Sequence, residues 1–127
     1  MKISKIKKQA SPDNTPREIV VFHGTRKPFD KFNLSQTAQG IIWFTEDIEN
    51  IKDESSGALS NQYILEAVIT VRNPAGWDDY HAKYLDQLRQ EGFDSIHLDD
   101  DWVVFDPEQV RFIQWYKKDD KGNYFLM

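Results

Sequence analysis

The sequence contains no cysteine, which excludes a disulfide framework and zinc–thiolate sites and suits a reducing compartment. The three histidines, His23, His81 and His97, are too scattered for a zinc-binding motif. The calcium-loop pattern, with its glycine and distant glutamate, is absent as well, so no metal is expected. No apolar run approaches the roughly 18 residues that span a bilayer. The basic start MKISKIKK is not followed by the apolar stretch of a signal peptide, so a cytoplasmic protein with no membrane partner is expected. Positive charge is in deficit: sixteen Lys and Arg stand against twenty-one Asp and Glu, a net charge of -5. That balance argues against nucleic acid as a partner, because phosphate neutralisation would have little support. The six glycines are dispersed, and neither a phosphate-cradling loop nor the G-x-S-x-G of a serine nucleophile occurs, which leaves Ser95 unmarked.

What remains is a chain of 127 residues, 39% hydrophobic and 13% aromatic, with enough apolar surface for one core. Residues 1–17 read as a flexible basic arm, because SPDNTP favours turns and extended chain. Residues 18–127 read as a single domain. Short apolar runs bounded by polar residues predict strands at Ile19–Phe22, Ile41–Phe44, Ile96–Leu98, Trp102–Phe105 and Val110–Trp115. A last strand is expected at Tyr124–Leu126. Tyr63–Val71 alternates over nine residues and stops at Asn73-Pro74, since proline cannot donate to a ladder. A short helix is expected after Thr45, an N-cap residue followed by acidic Glu46 and Asp47, and SSGALSN reads as a flexible loop. A second helix is expected at Tyr80–Glu91, with Tyr80, Tyr84, Leu85 and Leu88 on one face, Asp78 or Asp79 as cap and Gly92 as stop. Without regular β-α alternation, this is an α+β domain with mostly antiparallel strands.

Three stretches carry side chains suited to chemistry. His23-Gly24-Thr25 ends a strand with two hydrogen-bonding side chains around a position where a ligand can approach the backbone; a turn glycine beside a solvated histidine is the alternative. In GIIWFTED, Trp43 and Phe44 sit at a strand-to-helix junction, where rings can stack on planar groups, or else both belong to the core. Asp99, Asp100 and Asp101 head a strand; packed carboxylates raise one another's pKa and need a cation or solvent, so they suit a functional acid or a metal site, or else a solvated hairpin turn.

Together, the order strand-HGT, G-x-x-aromatic-Phe-Thr, long strand with Asn-Pro, helix-EGFDSI and acidic turn-WVVFDPEQV resembles the ADP-ribosyltransferase superfamily. The similarity is to small members of the diphtheria-toxin and poly(ADP-ribose) polymerase branch, and it covers Ile19 to Phe112. It implies a split, mostly antiparallel sheet that holds NAD in a central cleft, with His, Tyr and Glu on three strands. On this resemblance His23 hydrogen-bonds the adenosine ribose, Gly24 clamps the nicotinamide amide through its backbone, and Thr25 helps hold NAD. Trp43 takes the place of the stacking tyrosine, Phe44 follows it in the NAD site, and Asp101 takes the place of the catalytic glutamate. A second stacking aromatic common in the toxin branch is replaced by Glu54. Asp99, two residues before Asp101, is neither the Glu nor the Gln of some branches, so the acceptor stays open.

The implied activity is mono-ADP-ribosyl transfer from NAD, as substrate, to a macromolecular acceptor, most simply a protein, in a bacterial or phage effector. A catalytically weak or inactive relative that binds a partner, and an NAD glycohydrolase, are the alternatives.

Overall fold

The computed structural model describes residues 15–32, 41–52 and 62–127. The N-terminal part of the arm, Gly40, Glu54 and the SSGALSN loop lie outside the described residues. The described chain is mixed α/β, with an eight-stranded, mostly antiparallel sheet and three short helices. Its strands are β1 (Arg17–Thr25), β2 (Ile42–Thr45), β3 (Tyr63–Val71), β4 (Pro74–Ala75), β5 (Ser95–Leu98), β6 (Asp101–Val104), β7 (Val110–Lys118) and β8 (Tyr124–Leu126). They lie in the order β4-β5-β6-β2-β1-β3-β7-β8, with only β4 and β5 parallel. The expected strands are all present, and β1 and β7 run further than their apolar stretches. Each is paired against the nine-residue β3, whose ladder carries their polar ends along.

The sheet has a narrow waist. β1 and β3 pair over nine residues, whereas β1 meets β2 at the single register pair Phe22 and Thr45. One step beyond that pair, the imidazole of His23 bonds the carbonyl of Trp43 at 2.8 Å in place of a ladder contact.

Alternation of side chains places a core on each face. One gathers Val21, Ile42, Phe44, Leu65, Trp102 and Val104, with Phe32 buried among them. The other gathers Leu88, Phe93, Ile96, Leu98, Val103 and Phe105. Three helices flank the sheet: α1 (Glu49–Lys52), α2 (Trp77–Ala82) and α3 (Leu85–Gln90). The single helix expected over Tyr80–Glu91 is therefore corrected to two. Lys83 and Tyr84 between them are extended, with ψ of 153° and 160°, and Tyr84 is 86% exposed rather than on the buried face. Lys83 makes this break tolerable, because its ammonium meets Asp79 at 3.7 Å and also pairs with Glu91, tying both helices together. The cap is also different: Gly76 is the N-cap, and Asp79 reaches back to its N–H at 3.4 Å. The earlier helix begins at Glu49, not directly after Thr45, because Asp47 Oδ1 accepts from the Glu49 N–H at 3.0 Å.

Gly92 ends α3 as expected, with φ of +92°. A Cβ there would meet no atom within 4 Å, so the cost of a side chain is purely that of the left-handed backbone. Gly92→Ala should lower stability by about 1 kcal/mol, read from urea unfolding midpoints.

The motif residues Asn73, Asp94 and Gln109 prove to be joints. Asp94 accepts from the backbone N–H of Arg72 at 2.8 Å and of Asn73 at 3.0 Å, and from the Ser95 hydroxyl at 2.9 Å. Asn73 donates to the Gly92 carbonyl at 3.1 Å. Gln109 donates to the carbonyls of Thr70 and Asp94 and accepts from the Asp106 N–H. These bonds lock the end of β3, the start of β5 and the approach to β7 at one corner.

Candidate functional site

A cleft of about 450 Å³ opens where β2, β6 and the helices meet. Trp43, Trp77, Tyr80 and Leu98 form its apolar walls, and Asn50, Asp99, Asp100 and Asp101 its polar side. Strand register explains how residues 43 and 101 come together. Trp43 pairs with Val103 and Thr45 with Asp101, so Trp43, Thr45, Val103 and Asp101 share a face of the sheet. Phe44 and Trp102 alternate to the other face and are 3% and 2% exposed, whereas Trp43 is 40% exposed. Of the two adjacent aromatics in GIIWFTED, Trp43 therefore reaches the cleft and Phe44 is core.

The acidic stretch is a hairpin turn and a cleft wall at once. Leu98 pairs with Asp101, which leaves Asp99 and Asp100 as a two-residue loop with Asp99 at φ of 58°. Aspartate tolerates this left-handed conformation better than most side chains. The Asp101 carboxyl is pushed above the usual aspartate range, first by burial and then by the charges of Asp100 and Asp99, against a hydrogen bond from Thr45 that pulls it down. Thr45 is itself anchored, accepting from the Asp47 N–H at 3.2 Å and from Asn50 Nδ2 at 3.1 Å.

His23 lies elsewhere. It follows Val21 by two residues on β1, and its half-buried ring packs edge-on against Phe29, Phe32 and Phe44, at centroid distances of 6.2, 5.0 and 5.7 Å. Burial among these rings lowers its pKa, and the bond to the Trp43 carbonyl only partly opposes this, so the imidazole is neutral at neutral pH. A carbonyl can only accept, so Nδ1 carries the proton and Nε2 keeps its lone pair. His23, Gly24 and Thr25 are not among the described residues lining the cleft. His23 instead holds the backbone of Trp43 from β1.

Trp77 and Tyr80 were not marked as site residues by the sequence. Trp77 is 43% exposed, and its ring meets that of Tyr80 edge-on at 6.1 Å. A tryptophan at the first position of a helix that begins just after a capping glycine was the available signal. Among the described residues no group of three His, Cys, Asp or Glu is placed to hold a metal ion, and no helix is long and apolar enough to cross a membrane. No family model, curated protein or solved structure matches the chain.

Proposed function

We propose that the protein is a mono-ADP-ribosyltransferase of the α+β, split-sheet kind its sequence resembles, passing ADP-ribose from NAD to an acceptor protein and releasing nicotinamide. The observation that carries this reading is the pairing of an exposed indole, Trp43, with a partly buried acid, Asp101, in one cleft. The cleft volume falls within the range of about 300–1,000 Å³ usual for small-molecule sites. Its described lining offers three carboxylates and no cation, which suits the positively charged nicotinamide ring and leaves the pyrophosphate outside.

The chemistry follows from these groups. Nicotinamide departs from the ribose C1 with the bonding electron pair, positive charge grows on the ribosyl carbon and ring oxygen, and a nucleophilic atom of the acceptor bonds to C1 and gives its proton to solvent. An ionised Asp101 facing that cation, with its oxygen on the ribose 2′-hydroxyl, stabilises the transition state electrostatically. Trp43 holds the leaving ring by stacking, which fixes orientation. His23, with Nδ1–H on the Trp43 carbonyl, fixes the wall from behind.

Because only the carboxylate form serves, nicotinamide release should fall as pH falls through the raised Asp101 midpoint. Asp99→Gly removes one of the charges that raise this midpoint and should move the acid limb of the pH profile to lower pH. Relief at φ of 58° and the added chain entropy of glycine oppose each other, so stability should change by less than about 0.5 kcal/mol. A pH–rate profile of both proteins checks this.

A catalytically weak or inactive binding module is the second reading, favoured by the position of His23 outside the cleft and by the short reach of an aspartate. Incubation with labelled NAD in a bacterial lysate separates the readings. Nicotinamide release with labelled protein bands supports a transferase, and release that is equal in plain buffer supports a glycohydrolase. NAD binding without release leaves the module.

A further inference from the structure

We propose that Glu46 is a positioning residue for Asp101, gripping the chain on both sides of it. The residue before Asp101 is held through the backbone: the Glu46 N–H donates to the Asp100 carbonyl at 2.8 Å. The residue after it is held through the side chain: the indole N–H of Trp102 donates to Glu46 Oε2 at 2.5 Å. The same oxygen lies 3.3 Å from His97 Nε2. His97 in turn stacks on Trp102, with ring centroids 3.9 Å apart and planes 8° from parallel. Thr45, next to Glu46, is the register partner of Asp101 itself. Two consecutive residues of one chain segment therefore hold three consecutive residues of the other.

The arrangement is more than a surface contact. The Glu46 side chain is 41% exposed, yet it is the described acceptor for the indole N–H of a tryptophan that is only 2% exposed. A buried indole N–H without a partner is costly, so the carboxylate and the ring fix each other, and a charge-assisted bond of this kind is stronger than a neutral one. Trp102 and Asp101 are neighbours on opposite faces of β6, so fixing the ring on one face sets the direction of the carboxylate on the other. An aspartate has little reach to spare, and a displacement near 1 Å can cost roughly 10²-fold in rate.

Part of the test rests on the transferase reading and part does not. In Glu46→Ala, the Trp102 indole N–H should lose protection from hydrogen exchange. The carboxyl titration of Asp101, followed by ¹³C NMR, should move toward the ordinary aspartate range as the turn loosens and solvent enters. Glu46 is not among the charges that raise the Asp101 pKa, so Glu46→Gln, which keeps an acceptor oxygen, should leave the Asp101 titration in place. With NAD, Glu46→Ala should lower kcat about tenfold or more with KM changed less than about twofold, and Glu46→Gln should restore it. A general loss of stability would lower Tm without moving the titration of the folded molecule. An Asp101 titration unmoved in Glu46→Ala, or a Glu46→Gln variant indistinguishable from Glu46→Ala, would overturn the assignment. A titration that moves in a protein with no NAD turnover would uphold the positioning role and remove the transferase reading instead.

Discussion

On the transferase reading, Asp101→Asn should cut nicotinamide release about 10²–10³-fold while making the folded protein more stable at neutral pH. Removal of one preorganised charge facing the transition state typically costs about 10²–10³-fold, and the asparagine keeps the shape of the side chain while losing that charge. The gain in stability has the opposite origin. In the folded protein the Asp101 carboxylate is disfavoured by burial and by Asp100 and Asp99, so its pKa is raised above that of the unfolded chain. Between the ordinary aspartate value and the raised one, the folded state binds more protons than the unfolded state, and stability falls as pH rises. Above the raised value the full cost is present, and the asparagine escapes it. Its amide oxygen can still accept from Thr45. The advantage over the unaltered protein should therefore be largest above the raised value, shrink as pH falls from it toward the ordinary aspartate value, and vanish below that value. Thermal melts at several pH values, run beside nicotinamide release, check both halves. A variant that loses activity and stability together would show instead that Asp101 is a structural acid.

Asp94→Ala should have the largest effect on stability, about 3 kcal/mol. The carboxylate accepts two backbone N–H groups and the hydroxyl of Ser95, which is fully buried. Each donor left without a partner costs about 1–3 kcal/mol where water cannot reach it, and the Arg72 N–H, at an exposed residue, costs least. Neighbouring bonds would suffer too, since the Asp94 carbonyl and N–H hold Gln109 and Asn73 in the same corner. Urea unfolding measures the loss. Asp94 does not line the cleft, so the fraction that remains folded should release nicotinamide at the unaltered rate. A drop in rate per folded molecule would mean that this corner and the cleft are coupled.

The strands were legible because their pattern is local: Tyr63–Val71 alternates cleanly and ends at Asn73-Pro74, and the structure gives the same bounds. The acidic turn was legible for the same reason, as three acids between two apolar runs, although only Asp99 and Asp100 form the loop and Asp101 opens β6. What sequence alone does not reveal is which face each residue takes relative to distant strands. Trp43 and Phe44 are adjacent and chemically alike, and only the register against Val103 and Trp102 sends one to the cleft and the other to the core. His23 and Asp101 both sit at strand ends, yet the alternation set by Val21 puts the imidazole among phenylalanines. The break at Lys83 was hidden because Tyr80, Tyr84, Leu85 and Leu88 keep a helical spacing across it. The contact of Lys83 with Glu91, eight residues on, works against that local preference. The roles of Asn73, Asp94 and Gln109 were visible as a motif but not as joints, since each bonds to backbone that is distant in sequence.

The order of the strands also governs how the molecule is built in time. The β5–β6 hairpin closes over two residues and can form early, carrying Asp101 with it. Its partner β2 must arrive from far along the chain, because Glu46 and Trp102 are 56 residues apart, and closing so long a loop is slow. The acid is thus made ready on a local hairpin before its aromatic wall is present. During refolding, backbone strand signal should recover ahead of the indole environment of Trp102, and the cleft should be among the last features to assemble.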